Sequence, residues 1–516
     1  MRLGIDFGTT RTVVASSVDG RYPIAVFETA RGFSEFVPGL AVRGSEALSL
    51  GWEALGELGP KSLAVVRSIK REAGSRMPDD RLSDLGIDAS ALDLTTDYLR
   101  FLRRMLLERS NLEIDPAEPL EAMVAVPANA GTSQRYLTVE AFSRAGFRVL
   151  GLINEPTAAA IEYAHNNLAS LGKRSPKRYV VVYDLGGGTF DTSAVSLIDK
   201  RFELIASEGI GRLGGEDFDE VILELALARA GIERASLGRL VSARLLEVCR
   251  EAKEALSPSS RRLLVDLGST LPGVEAVSLD VAEVNEACQP LVRPTLALLE
   301  RVLERVREHG IDPDNARELG GVYLVGGATE FPLVGKMLRE VYKRKVLIAP
   351  QPYASTAVGL AIAADPEARI FVREAVTRHF GVWREGEAGR NKVFDPIIHK
   401  GALPENGGFS IERRYWPVHA VGHLRFLECS ELDPHGQPRG DMTPWGDILF
   451  PYDPSLAEQR DLSAVPNDQR ILGAPPEIVE RYGYGRDGSI SISIENATRG
   501  YSRRFVLGQS GSVSAA

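Results

Sequence analysis

The chain has 516 residues, of which 44% are hydrophobic and 25% charged, and a formal net charge of −9. That length predicts two to four domains at roughly one per 150 residues, with ample apolar material for soluble cores. The acidic balance argues against nucleic acid or an anionic membrane surface as the main partner. The absence of any apolar run of roughly eighteen residues argues against a transmembrane helix. The N-terminus enters a predicted strand at once, which leaves no room for a signal peptide. Three widely separated cysteines, Cys249, Cys288 and Cys429, predict a reducing compartment with no disulfide framework. The expected location is therefore cytoplasmic.

Leu3-Gly4-Ile5-Asp6-Phe7-Gly8-Thr9-Thr10 opens the chain as a strand running into a glycine–threonine turn, and Thr12-Val13-Val14-Ala15 returns from it. Residues 20–60 hold short strand-like pieces broken by glycine and proline. Lys61 to Gly74 reads as a loop or helix edge carrying Arg67, Lys70 and Arg71, which taken alone form a solvated basic face. Between Leu94 and Leu107 the apolar spacing predicts a helix packed on one side. Leu120 to Val126 is a predicted strand closed by Pro127, followed by a helix from about Ser133 to Arg144 and a strand from Phe147 to Ile153. Pro156 suits the first turn of a helix, where no donor is missed. It places Glu155 at a strand-to-helix corner, where α/β folds collect ligand groups.

Tyr179-Val180-Val181-Val182-Tyr183 is apolar and β-branched without alternation, the pattern of a strand buried on both faces. Asp184-Leu185-Gly186-Gly187-Gly188-Thr189-Phe190-Asp191 then turns the chain, and Phe190 to Ile198 returns. Consecutive glycines let backbone N–H groups approach a phosphate that any Cβ would hold off, although a tight turn is the plainer alternative for one such hairpin. Two of them, 184 − 6 = 178 residues apart, predict a pseudo-symmetric pair of α/β lobes gripping one phosphate chain. Strand–helix alternation over the first two hundred residues gives the α/β class.

A strand is predicted from Arg201 to Glu208, then Gly214-Gly215 as a close-approach turn, with Glu216, Asp217 and Asp219 as charges capping a helix that begins near Val221. Leu240 to Leu256 is a predicted helix. Val284 to Arg307 is a helical pattern that Pro290 and Pro294 should break or kink. Val322 to Val325 is a buried strand running into Gly326-Gly327, a third ligand-facing turn. After about Arg373 the long helical patterns stop. Ser489 to Glu495 alternates as a half-buried strand, Ile411 to Leu427 and Tyr501 to Leu507 fit further strands, and Asp433 to Asp468 reads as loop-rich. The expected organisation is a first domain over 1–368, a linker over 369–380, a β-sandwich-like domain over 381–509 and a flexible tail over 510–516.

Asp6-Phe7-Gly8-Thr9-Thr10, Val126-Pro127-Ala128, Asn154-Glu155-Pro156-Thr157-Ala158-Ala159-Ala160, Asp184 to Asp191, Leu213 to Asp219 and Val325-Gly326-Gly327 follow one another in order. Residues 1 to about 365 thereby resemble the nucleotide-binding domain of the seventy-kilodalton heat-shock chaperones, the DnaK family. The resemblance implies an actin-like ATPase fold of two pseudo-symmetric lobes, with a small all-β sandwich-like domain after it. It also implies a chaperone-type hydrolase of ATP to ADP and phosphate. Asp6 and Asp184 would hold Mg2+ through waters, while Gly8, Thr9, Thr10 and the amides of Gly186, Gly187 and Gly188 would meet the phosphates. Lys70 would sit beside the γ-phosphate, Glu155 would order the attacking water and Thr189 would contact the γ-phosphate. Asp191 would face a monovalent cation, K+. Gly214, Gly215, Glu216, Lys253, Gly326 and Gly327 would line the ribose and base.

Several positions depart from that family. Arg250 stands where an acid is common, Glu254 and Glu330 where an arginine is common, and Tyr353 where an acid is usual. An arginine over a π system contributes roughly 0.5–2 kcal/mol, so the departures predict intact phosphate binding with altered base recognition. Arg373 interrupts the apolar linker Ile370-Phe371-Val372. Phe394 to Pro404, and Pro476 to Leu507 with its Asp487-Gly488 turn, look like the first and last strands of the family's substrate-binding sandwich, and no helical lid pattern follows residue 507. The expected function is an ATP-hydrolysing, chaperone-like protein coupling nucleotide state to binding of extended polypeptide in a lidless β-domain, with co-chaperones as further partners. The alternative is a nucleotide-dependent switch for one dedicated protein partner. The seven histidines are scattered, and Cys249 reads as a packed core thiol.

Overall fold

A computed structural model describes residues 1–45, 47–59, 62–167, 175–198, 201–315, 317–386, 391–402, 408–459, 461–466, 468–485 and 489–506. The Asp487-Gly488 turn, Pro404, Leu507 and the predicted tail lie outside these. The chain divides into two compact units, Met1–Ala128 with Val139–Val372, and Asn129–Thr138 with Arg373–Ala516.

The first unit is built on two mixed sheets of the same plan. In one, the strand order is Arg148–Asn154, Glu121–Val126, Arg2–Phe7, Arg11–Ser17 and Val37–Pro38. In the other it is Val346–Ile348, Leu319–Val325, Tyr179–Leu185, Phe190–Ser196, Arg201–Ile210 and Phe371–Arg373. Each sheet has an antiparallel hairpin whose first strand also pairs in parallel with a later one, Glu121–Val126 or Leu319–Val325. The repeated hairpin in the sequence is thus the repeated centre of two sheets, the pseudo-symmetric pair of lobes of the actin-like fold.

The corner helix Glu155–Asn166 explains its own composition. Ala158, Ala159 and Ala160 are all fully buried, because the helix packs on both Ser355–Ala364 and the second sheet. A Cβ at Gly359 would come within 1.8 Å of the Ala158 carbonyl oxygen, so only glycine on one side and small residues on the other let these helices approach.

Two expectations need correction here. The helix after Gly214 runs Gly215–Ala230 and starts six residues before Val221. Glu216, Asp217 and Asp219 are therefore inside it, and the Asp217 carboxylate accepts from the Gly214 N–H at 2.7 Å. The helix Val281–Glu308 continues through Pro290 and Pro294 without a break. Both prolines are exposed and four apart, so the carbonyls they leave unpaired, Glu286 and Pro290, lie on the wet side. The opposite face buries Val284, Cys288, Val292, Thr295, Leu299, Val302 and Val306, and that stripe outweighs the local cost. Within the stretch expected as linker, Phe371–Arg373 pairs as the outer strand of the second sheet, and the boundary between the two units falls between Val372 and Arg373.

In the second unit the segment from Arg373 on is all-β and sandwich-like, with two four-stranded antiparallel sheets, while Asn129–Thr138 brings the start of the helix Thr132–Arg144. One orders Asn391–Ile398, His379–Gly386, Val421–Leu432 and Pro438–Pro451; the other Phe409–Tyr415, Ile478–Tyr484, Ile490–Asn496 and Tyr501–Val506. Alternation in Ile490–Asn496 is reproduced as strict alternation of burial. Phe380 stacks on Phe426 with centroids 5.6 Å apart, and Tyr482 meets both rings edge-on. The 14-residue strand Pro438–Pro451 corrects the loop-rich expectation for that stretch. Its prolines and glycines are accommodated by two register shifts against Val421–Leu432, and at the second Gly440 takes a φ of +73°, the left-handed conformation of a glycine bulge.

Candidate active site

Both hairpin turns open on one cleft of about 870 Å³ within the first unit. Gly8 N–H closes the first turn by donating to the Arg11 carbonyl at 3.0 Å, and Gly186 N–H closes the second by donating to Thr189 at 3.0 Å. The turns interleave. A Cβ at Gly187 would stand 2.3 Å from Thr10 Oγ1, so the glycine run is required by the opposite turn as much as by any ligand. Gly326 has a φ of +82° and brings its Cα against the Asp184 carboxylate, where a Cβ would lie 2.4 Å from Oδ1.

Asp6, Gly8, Thr9, Thr10, Lys70, Glu155, Asp184, Gly186, Gly187 and Thr189 line one end of the cleft, and Gly215, Glu216, Lys253, Gly326 and Gly327 line its continuation. Gly188, Asp191 and Gly214 are not in that lining. The Gly188 carbonyl accepts from Arg71 at 2.6 Å, Asp191 faces Asp184 across the hairpin in register, and Gly214 is the N-cap of its helix.

Charge is unbalanced at the end lined by Asp6, Lys70, Glu155 and Asp184. Lys70 Nζ donates to Glu155 Oε1 at 2.5 Å. Burial opposes the charge on Lys70, but Glu155, Asp6 and Asp184 outweigh it and hold the ammonium above its ordinary value. Burial, with Glu155 beside it and Lys70 opposing, pushes the Asp6 and Asp191 carboxyls up to about 7. Burial and the carboxylates of Glu155, Asp191 and Asp6 drive Asp184 well above the carboxylate range. Four carboxylates against one ammonium leave a deficit that a cation or a cation–phosphate chain would neutralise. Among the described residues no three acidic or thiol or imidazole groups converge closely enough to coordinate one ion directly. Hard oxygen donors set apart in this way suit Mg2+, which keeps several of its waters.

The basic face expected around Lys70 is not solvated. Arg71 pairs with Glu216 at 2.7 Å and Arg67 with Glu247 at 3.0 Å. These pairs form only when residues far apart in the chain meet, which spacing along Lys61–Gly74 could not reveal. Lys253 is likewise engaged, donating to the Gly215 carbonyl at 2.6 Å and lying 2.6 Å from Asp219. The sequence offered no signal for Asp219 beyond a helix-start charge.

At the far end the cleft is lined by Arg11, Glu35, Phe36, Glu254, Glu330 and Tyr353, among others. Arg11 was not singled out from sequence; only its place directly after Gly8-Thr9-Thr10 could have marked it. Its guanidinium lies 4.1 Å from the Phe36 ring centroid and pairs with Glu254. The Tyr353 hydroxyl donates to Glu35.

A family model described as Hsp70 protein matches residues 112–369. Among curated proteins, the chaperone protein HscA of Proteus mirabilis is 32% identical over 381 residues, 70% of this chain and 57% of that protein. The HscA homolog of Chromobacterium violaceum is 32% identical over 386 residues, covering 71% of this chain and 58% of its own length. That of Tolumonas auensis is 28% identical over 403 residues, 74% of this chain and 61% of its own. The chain thus spans somewhat more than half the length of the curated relatives it matches. With two lobes repeating one hairpin plan around an acidic, glycine-walled cleft, and a matching family model over half its length, the chain belongs to the Hsp70 protein family.

Proposed function

We propose that this protein binds and hydrolyses ATP in the cleft and couples its nucleotide state to the binding of extended polypeptide by the β unit, as a chaperone-type ATPase. The observation that carries the reading is the Lys70–Glu155 pair at 2.5 Å on the same cleft wall as Asp6 and Asp184. Lys70 would place a positive charge beside the γ-phosphate. Glu155, at the start of its helix, would orient the attacking water and take up its proton as the bond to the β–γ bridging oxygen breaks. Thr9, Thr10, Thr189 and the amides of Gly186 and Gly187 would hold the phosphate oxygens. Mg2+, when bound, would neutralise phosphate charge, and Asp6 and Asp184 would hold it through waters. Asp191 would face K+. Gly188 and Gly214 would act by shaping the turn, whereas Gly215, Glu216, Gly326 and Gly327 would border the nucleoside and Lys253 would brace Gly215.

Three buried, unpaired cysteines support the cytoplasm as the compartment, and among the described residues no helix is long and apolar enough to cross a membrane. Extended polypeptide and co-chaperones are the partners this reading implies.

Single-turnover hydrolysis of ATP, with and without an extended peptide, tests it on wild type and Lys70→Ala. Peptide-stimulated turnover that falls by about 10²- to 10³-fold in the variant supports the chaperone cycle, that being the usual loss when one transition-state donor is removed. Hydrolysis that survives the substitution overturns the catalytic assignment. Nucleotide binding without any peptide response favours a nucleotide switch serving one dedicated protein partner.

A further inference from the structure

The far end of the cleft poses a chemical problem that the phosphate end does not. Glu254 and Glu330 both face it, and carboxylates offer a planar ring no stacking partner. Arg11 enters from the opposite lobe, on the first turn's return strand Arg11–Ser17, whereas Glu254 ends the helix Arg239–Glu254. Phe36 lies against the guanidinium, its ring centroid 4.1 Å from Cζ, and both residues line the cleft. The Glu254 pair fixes the plane, with Arg250 Nε also 4.0 Å from that carboxylate. Glu330 is exposed at the cleft, and its carboxyl is raised by partial desolvation and by Glu254, with Arg11 opposing. A planar guanidinium backed by an aromatic ring and tied to a carboxylate is a preorganised stacking platform.

We propose that Arg11 is the residue that holds the nucleobase, stacking on the ring from the first lobe while Glu254 and Glu330 accept hydrogen bonds from the base N–H groups. The proposal rests on the ATPase reading above and names what holds the base there. The competing role for a cation directly after Thr10 is a phosphate contact, but that would take Arg11 from Glu254 and leave two carboxylates, Glu254 and Glu330, facing each other without it.

The two roles separate by ligand. Displacement of a fluorescent ATP analogue from the full chain, by ATP and by inorganic tripolyphosphate, measures the whole site and its phosphate end in turn. Arg11→Ala is expected to weaken ATP about three- to thirty-fold with tripolyphosphate affinity unchanged. Arg11→Lys keeps the charge for Glu254 but loses the plane, and it too should weaken ATP. Unchanged ATP affinity in both variants overturns the proposal, as does a parallel loss of ATP and tripolyphosphate, which would make Arg11 a phosphate ligand. Wild type that binds neither ligand removes the ATPase reading itself.

Discussion

Glu162 ties two elements of the cleft together. It lies on the helix that begins with Glu155, is 4% exposed, and accepts from Tyr323 Oη at 2.5 Å. Tyr323 belongs to the strand Leu319–Val325, which delivers Gly326 and Gly327 to the cleft. Asn166 donates to the other carboxylate oxygen. Burial raises the Glu162 carboxyl from an ordinary 4.5 to about 7, against the pull of Tyr323 and Asn166. The folded state therefore holds the proton more tightly than the unfolded chain. The stability this contributes is complete below about pH 4.5 and is lost as pH rises through about 7. The difference of about 2.5 units, at 1.36 kcal/mol each, makes the loss about 3 kcal/mol. Glu162→Gln stays neutral throughout, so it should match wild type near pH 5 and exceed it by about 2–3 kcal/mol near pH 8. Urea unfolding of both proteins at the two pH values checks this. Asp6 and Asp191 titrate in the same window, and the difference between variant and wild type isolates Glu162 from them. Equal losses in the two proteins would refute the reasoning.

A Cβ on Gly187 would collide with Thr10, so Gly187→Ala should push the two turns apart and lower ATP affinity at least about tenfold; titration calorimetry showing affinity within twofold of wild type would count against interleaving. In the β unit Glu480 is fully buried and accepts from Arg384 at 2.6 Å, Tyr415 at 2.5 Å and Tyr482 at 2.6 Å. Glu480→Ala leaves Arg384 with Asp395 alone and takes a buried acceptor from Tyr415 and Tyr482, and should cost that unit about 2–3 kcal/mol in denaturant unfolding. With Arg250, Glu254, Glu330 and Tyr353 at the base end, ATP and other nucleoside triphosphates should bind with comparable affinity in competition assays; tight, strictly adenine-selective binding would sink that expectation.

Sequence patterns succeeded where structure depends on a few consecutive residues. The three-glycine turn, the Pro156 corner and the unalternating strand at Tyr179 are local demands of backbone and burial, and each lies where it was expected. Local rules failed where tertiary packing overruled them. Two prolines did not break Val281–Glu308, because its buried stripe is long and the prolines sit on the other face. Gly214-Gly215 was assigned to a ligand-facing turn with its helix starting later, although a glycine N-cap with an aspartate at the third helical position already starts one. In Pro438–Pro451 the glycines and prolines suggested loops, while the bulges that accommodate them become visible only once the partner strand is known.

The two ends of the cleft differ in the same way, and this bears on how each can change. The end read as phosphate-binding is built largely from glycines and hydroxyls in two short runs, with Lys70 and Glu155 added from elsewhere in the chain, so much of it is written in contiguous sequence. The far end is assembled from single side chains at positions 11, 35, 36, 254, 330 and 353, drawn from both lobes. There a charge can move from one lobe to the other: Arg11 provides a cation facing Glu254 and Glu330, which occupy positions where the resemblance implies arginine. Such an exchange leaves the glycine turns untouched and keeps a guanidinium at the ring's edge of the cleft. On the proposal above, base contact would be tied to an ion pair that spans both lobes, so opening the cleft would separate Arg11 from Glu254 and release the ring without disturbing either glycine turn.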